Sequence, residues 1–456
     1  MLSLVVRVVW AGLAHVTPIS DFSGYDALAW RWIATGEFGS VDRLAYRTPG
    51  YPGLLALIYL AVGHSWKAAA MFQALLGALT SGMLVLLAAN ALSVRASAVA
   101  GLLHAFSPAA VVYVPILASE NLAVPLIVGG LLCLAVADRP TGVIRYAAVA
   151  GSGVIMGLLI LVRPIGVFMF PAALFLAAYS PRKRAWRIVP AFVLLGGAAV
   201  VLAPWLVRNH RVGLGAATLS SIGGVNAWMG NNDAAIGGGY CRPAQSALDL
   251  SGLSEKERDA AYRAAALAWV RAHPGRYLAL CGTRALRLLG AKPDGWAAKY
   301  LVPTGENDAA MVAQGQRRRG KGSVSPSLLS RGRAVQSRNL LCLAGFRAVI
   351  APLIVLALSL SLLRWRSYAI VVLPALCYLG GISLVYAQLR FRHLADPLLF
   401  VPLAGLLSDV FFGTSELGSR PSRGVKVGIA VLLVVASVLL HASGVALRWY
   451  RLEATG

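Results

Sequence analysis

SDFSGYDALAWRWIATGEFGSVDRLAYRTPGYPG, residues 20–53, follows closely on an apolar run that begins at Leu2. It sets two carboxylates, Asp21 and Asp26, beside several aromatics and a Tyr-Arg-Thr-Pro-Gly-Tyr-Pro turn at the edge of a hydrophobic segment. A carboxylate just past the end of a membrane span stays hydrated and ionised, whereas at a span centre it costs roughly 2.5–3.5 kcal/mol to insert. Within this stretch YDALAWRWIAT, residues 25–35, puts Leu28, Ala29 and Trp32 on one side at helical spacing. That spacing predicts an amphipathic helix on the membrane surface, with Trp30 and Trp32 at headgroup level. The Pro49-Gly50-Tyr51-Pro52 turn breaks the chain, and an apolar helix is expected from Gly53 to about Val62.

The composition around this loop is that of an integral membrane protein. Of 456 residues, 58% are hydrophobic and 13% charged, and the mean hydropathy is +0.70; soluble domains carry about 25% charge. Apolar runs recur that can cross a hydrocarbon core of about 30 Å as helices. The strict alternation of a membrane barrel is missing. The fold class expected is therefore all-α and polytopic, with about eleven transmembrane helices and surface helices in two outer loops. The spans read at about 2–16, 67–90, 96–114 and 119–137, two sharing 143–179, then 186–207, 340–363, 367–387, 394–412 and 424–446. Arg163-Pro164 divides the shared stretch, because proline disfavours helix at the residue before it. The first stretch lacks a small-residue cleavage site and reads as a retained span. The chain thus falls into a membrane module at 1–207 with its outer loop at 17–52, a long polar loop at 208–339, and a second membrane module at 340–456.

In a soluble protein the formal charge of +24 would suggest nucleic acid, but no zinc or RNA-binding motif accompanies it. With the charge in loops between spans, the anions to expect are lipid headgroups and a phosphate-bearing substrate. The short loops carrying Arg95, Arg139 with Arg145, Arg182 to Arg187, Arg364 with Arg366, and Arg420 to Lys426 are the most basic. By the positive-inside rule they are cytoplasmic. Asp21, Glu120, Arg163, the long loop and Arg390 to His393 then share the outer face. In the long loop Ser254 and Glu257 have capping-box spacing for a helix to about Ala272, and Pro274 restarts a helix toward Leu289. The basic, Gly/Ser-rich stretch at 314–339 reads as a solvated linker or a headgroup-binding segment. Cys241 and Cys281 share the long loop, so a disulfide between them is one reading. The cysteines and histidines have no metal-ligand spacing.

On the outer face the polar groups are few and complementary: carboxylates Asp21, Asp26 and Glu120 against cations Arg47, Arg163, Arg208, Arg390 and Arg392. Asp21 is a candidate general base, and Asp26 suits a helix cap as well as a site role. Glu120 is either a site acid or a carboxylate favoured by the dipole of its own helix. Arg390 and Arg392, in QLRFRHLADP, can turn toward phosphate, whose oxygens match a guanidinium fork, or toward lipid headgroups. Arg163 precedes a broken helix, and Arg47 sits in a rigid turn. His393 is either a proton shuttle or a backbone contact.

In order along the chain, SDFSGYDALA, YRTPGYPGLLA, LASENL, LVRPIG, PWLVRNHR, GGVNAWMGNN and RFRHLADPLL resemble the polyprenyl-phosphate-sugar-dependent glycosyltransferases of the GT-C superfamily. The resemblance is to family 39, protein mannosyltransferase-like and aminoarabinose-transferase-like bacterial proteins, and covers residues 1 to about 405. It implies that Asp21 deprotonates an acceptor hydroxyl, which attacks the anomeric carbon with inversion. Arg47, with Arg390 or Arg392, would stabilise the leaving polyprenyl phosphate, an electrostatic role that needs no metal and no cofactor. Glu120, Arg163 and the Arg208-Asn209 pair match recurrent family positions, and Tyr46, Tyr51 and His393 within the quoted motifs are further site candidates. The first loop departs from the family in lacking the adjacent Asp-Glu pair of protein mannosyltransferases, having Asp21 and Asp26 instead, which leaves protein O-mannosylation open as the activity. The partners implied are a polyprenyl-phosphate-linked sugar, an acceptor that is glycan, lipid or protein, and membrane lipids, at a bacterial inner membrane with the site on the extracytoplasmic side. A transporter or flippase, or an O-antigen polymerase or ligase, is the competing class. A transporter should carry repeat symmetry and mid-span ionisable groups, and the two halves do not echo each other.

Overall fold

In a computed structural model the protein is described over residues 1–40, 42–138, 142–180, 185–238, 248–290, 300 and 346–416. Helices dominate, as the apolar runs require. Long apolar helices run Trp66–Ala88, Glu120–Ala137, Gly142–Val162, Ile188–Arg211, Phe346–Leu363 and Trp365–Val385. Shorter ones run Leu2–Leu13, Gly50–Val62, Val94–Phe106 and Pro164–Ala178, and Asp396–Phe412 follows a 3-10 turn at Leu389–Leu394. The chain is a multi-pass membrane protein. The span read at about 424–446, the basic stretch at 314–339 and Cys241 lie outside the described residues. Among the described residues the one sheet is a two-residue antiparallel ladder, Tyr179 on Trp186 and Ser180 on Ala185.

The helix Gly142–Val162 lies between Ile188–Arg211 and Glu120–Ala137, while Trp66–Ala88 contacts Glu120–Ala137, Val94–Phe106 and Leu2–Leu13. Trp365–Val385 packs on the 3-10 turn Pro164–Met169, which forms where Arg163 leaves helical geometry at φ −145° ahead of Pro164. The core between these helices is built from small and branched residues such as Ala123, Ile127, Leu131, Leu159 and Ala375, all essentially inaccessible.

Several boundaries differ from the sequence reading: the apolar helix expected from Gly53 begins at Gly50 and takes in Tyr51 and Pro52, and the first helix ends at Leu13. The first-loop helix begins at Asp21, not Tyr25, and runs to Thr35. It starts after Ser20 at φ +52°, so Asp21 occupies the first helical turn, where the exposed amide dipoles favour a carboxylate. The helix read at 96–114 stops at Phe106, because Ser107-Pro108 cannot continue it; a short helix, Pro108–Val112, follows.

That early stop would leave carbonyls unsatisfied in an apolar interior. Arg7 of the first helix, 0% exposed, resolves this by donating to the carbonyls of His104 at 3.1 Å and Ala105 at 3.0 Å and to Ser3 Oγ at 2.5 Å. Gly77 makes room for it, since a Cβ there would stand 2.4 Å from Arg7 Nε. A buried cation in the first span is thus a cap for a neighbouring helix. Arg7→Leu should lower stability by about 1–3 kcal/mol through the orphaned carbonyls, read as a lower midpoint of thermal unfolding in detergent. An unchanged midpoint would rule out the capping role.

Candidate active site

The first loop is held in place by contacts outside the ion pairs. Thr48 Oγ1 donates to the carbonyl of Val162 at 3.4 Å, and Gly50 lies so close to the same helix end that a Cβ would meet the Leu161 backbone at 2.8 Å. Only glycine permits that approach. The Thr-Pro-Gly turn is therefore seated on the end of Gly142–Val162, which brings Arg47 and Arg163 into one region. Arg208 holds the other end of the loop, donating to Phe38 O at 2.6 Å and Leu44 O at 2.9 Å. Asn209, fully buried, donates to Thr218 O at 2.7 Å. Arg208 and Asn209 thus act on the loop's position.

At the start of the first-loop helix, Asp21 meets two guanidiniums contributed from distant parts of the chain. Arg47 Nη2 donates to its Oδ1 at 2.7 Å and Arg390 Nη1 to its Oδ2 at 2.6 Å. The three side chains are 16–19% exposed. Burial pushes the Asp21 carboxyl up, but Arg390 and then Arg47 outweigh it and hold Asp21 well below the usual carboxylate range. Both arginines are raised above their usual value: burial would lower them, but Tyr25 and then Asp21 outweigh it at Arg47, and Asp21 and then Glu120 at Arg390.

A second ion pair supports the first from below. Arg163 Nη1 lies 2.6 Å from Glu120 Oε1 and donates to Ser119 Oγ at 3.0 Å. The Glu120 side chain is 4% exposed. The two pairs are joined by rings. Phe391 lies between Arg163, 5.2 Å from its centroid, and Arg390, at 5.5 Å. The Arg47 guanidinium lies 4.3 Å over the Tyr25 ring, and Tyr25 donates to Ser119 Oγ at 3.1 Å. Asp21, Glu120, Arg47, Arg163 and Arg390 thus form one connected cluster.

The remaining candidates lie around it. Tyr51, fully buried, packs edge-on against Tyr25 and donates to Gln73 Oε1 at 2.5 Å. Asp26 stands apart, accepting from Tyr59 at 2.6 Å with His64 Nε2 at 2.8 Å. Five residues from Asp21 is about 140° beyond one full helical turn, so the two carboxylates face different partners. Arg392 is buried two residues after Arg390 in a 3-10 turn, a spacing that puts the pair on different faces. His393 packs edge-on against Tyr113 at 4.6 Å. With Glu120 it lines a cavity of about 50 Å³ that reaches down to Arg7. Tyr46 lies under Arg43 and lines a separate cavity.

Tyr25, Ser119 and Tyr300 escaped the sequence reading as site residues. Tyr25 carried a signal, because i and i+4 share a helix face and Arg47 can reach both it and Asp21. Tyr300 lies near enough that, after burial, the charge of Asp21 pushes its phenol up, and no sequence pattern announces it. Among the described residues no group of three or more His, Cys, Asp or Glu is arranged to hold a metal ion.

The family model described as dolichyl-phosphate-mannose-protein mannosyltransferase matches residues 46–207, a stretch that includes Arg47, Glu120 and Arg163. Over that stretch the chain is similar to a family of membrane glycosyltransferases, as the motifs lead one to expect. No curated protein matches the chain. Among solved structures, the chain is similar to ArnT from Cupriavidus metallidurans bound to undecaprenyl phosphate, at TM-score 0.43 and 15% identity over 86% of this chain and 76% of that one. It is also similar to the oligosaccharyltransferase AglB from Archaeoglobus fulgidus in complex with an inhibitory peptide and a dolichol-phosphate, at TM-score 0.41 and 14% identity over 96% of this chain and 54% of that one.

Proposed function

We propose that the protein is an inverting glycosyltransferase that moves a sugar from a polyprenyl-phosphate donor to an acceptor hydroxyl on the extracytoplasmic face. The observation that carries this reading is the convergence of Arg47 and Arg390 on Asp21 at the first-loop helix. Two guanidinium forks around one internal carboxylate make an anion site, and a phosphate monoester or diester offers the same oxygen geometry. The matching family's description, which names a dolichyl-phosphate sugar, supports a lipid-phosphate donor. The charge distribution of the short loops supports the outer face.

Asp21 in its doubly paired state is a weak base, because the arginines that stabilise its charge also lower its affinity for a proton. A donor phosphate that draws the guanidiniums onto its own oxygens restores that affinity. Asp21 then takes the proton of the acceptor hydroxyl as its oxygen attacks the anomeric carbon opposite the phosphate. The bond from the anomeric carbon to the phosphate oxygen breaks, and the polyprenyl phosphate leaves with the electron pair. Arg47 and Arg390 hold the charge that develops on it. A single displacement inverts the anomeric centre. Arg163, Glu120 and Phe391 act by holding Arg390 in place.

The test is to incubate the purified protein in lipid nanodiscs, in chelator, with a panel of labelled polyprenyl-phosphate sugars and candidate acceptors. One donor should release polyprenyl phosphate and pass its sugar on with inverted configuration. Retained configuration overturns the single displacement. Sugar lipid crossing a vesicle bilayer with no release of polyprenyl phosphate overturns the transferase reading in favour of a transporter.

A further inference from the structure

A second cavity opens on the first loop, one residue along the chain from Arg47 of the ion cluster. It has a volume of about 140 Å³ and is framed by the first loop and the long-loop helix Glu255–Ala272. Its floor is a structural joint: Glu255 accepts from the amides of Leu44 and Ala45, the latter at 3.2 Å, and from Ser221 Oγ. Asp259 accepts from the Gly224 amide at 2.6 Å. The capping box at Ser254 and Glu257 fixes the start of this helix, so the cavity is preformed. Its walls are Asp42, Arg43 and Tyr46 on the loop, and Arg258 and Tyr262 on the helix.

We propose that this cavity receives the acceptor, and that the acceptor presents a carbohydrate ring there. The inference rests on the transferase reading above and names the substrate class for it. Size is the first argument: an apolar cavity of about 150 Å³ holds one benzene-sized ring, whereas drug-sized ligands need about 300 Å³ or more. Charge is the second. In a chain of net charge +24, the charges at this cavity balance: Asp42, Glu255 and Asp259 stand with Arg43 and Arg258, and Arg263 pairs with Asp259 Oδ2 at 2.6 Å. Arg258 already donates to the Asp42 carbonyl at 2.9 Å, and Arg43 lies over the Tyr46 ring at 4.7 Å. Such a site disfavours phosphate and suits a neutral polyol, whose hydroxyls donate to the Asp42 carboxylate on the wall, Glu255 and Asp259 being engaged in the joint below. Tyr46 and Tyr262 add the aromatic surface that takes the apolar face of a sugar ring. For a peptide adding to a sheet edge, the described residues of the loop offer an isolated bridge from Ser40 to Arg43 and no longer ladder. Position is the third argument, for Tyr46 on the cavity wall directly precedes Arg47 on Asp21.

The proposal is tested on the full-length protein in nanodiscs without donor. Saturation-transfer NMR is recorded with the methyl glycosides of glucose, mannose, galactose and N-acetylglucosamine, and with a serine-containing tetrapeptide. At least one glycoside should give a signal that falls at least fivefold in Tyr262→Ala and in Asp42→Asn, while Tyr262→Phe retains it. Thermal unfolding of each variant separates a lost site from a lost fold. No glycoside signal, a signal indifferent to both substitutions, or a signal from the peptide alone overturns the assignment. Donor turnover is measured separately. If turnover is present and glycoside binding absent, the acceptor cavity alone falls; if binding is present and every donor is left intact, the transferase reading falls and a sugar site remains.

Discussion

Asp21→Asn is expected to lower kcat by about 10²–10⁴-fold, the range for removing a general base, while the KM for donor stays constant or falls. The second half of that expectation follows from the ion cluster. In the native site Asp21 competes with any incoming phosphate for Arg47 and Arg390, and an amide in its place competes far less. The pH dependence has a definite sign. A carboxyl depressed in the folded state contributes stability above its unfolded value of about 3.9, and loses it only as pH falls through the lower folded value. Between pH 5 and 9 that contribution is therefore flat. The acid limb of kcat/KM, which reports the free enzyme, should lie at or below the ordinary carboxylate range. The limb of kcat, which reports the donor complex, should lie above it, because the phosphate has drawn the guanidiniums away. Steady-state kinetics across pH check both points. A kcat within threefold of wild type, or limbs that coincide, would remove Asp21 from the role of a base released by its donor.

Much of this arrangement was legible from the chain alone, and the limits have physical causes. Spans, the break at Arg163-Pro164 and the capping box at Ser254 were readable because hydrophobic length, proline sterics and cap spacing are local properties. The complementary charges of Asp21, Arg47 and Arg390 were readable as types. Their pairing was not, because it depends on how a loop and a turn separated by most of the chain come together. Arg7 is the clearest omission. It reads as an isolated charge in an apolar run, and its purpose appears only once the helix Val94–Phe106 is seen to stop short beside it. Asp26 shows the converse. Its residue type and loop are those of a site acid, yet helical phase turns it toward Tyr59 and His64.

Arg390→Gln should cost about 10²–10³ in kcat/KM, the scale of losing one preorganised donor to developing charge. Arg390→Lys keeps the charge but not the fork and should recover about tenfold. The expectation rests on where Arg390 sits. It is pulled by Asp21 and then by Glu120, and its guanidinium, like that of Arg163, lies over the Phe391 ring. Such a group is poised before the donor arrives. A purely structural Arg390, there only to neutralise Asp21, would lower kcat/KM as well, so the single substitution does not decide the matter. The double variant does. If neutralising Asp21 were the whole role, adding Arg390→Gln to Asp21→Asn would change nothing further, since the carboxylate is already gone. If Arg390 also holds the departing phosphate, the second substitution must still raise the donor KM and slow release of polyprenyl phosphate in the Asp21→Asn background. Measured by direct binding of polyprenyl phosphate to the four proteins of that cycle, a second step of at least tenfold supports a phosphate contact, and no second step assigns Arg390 to Asp21 alone.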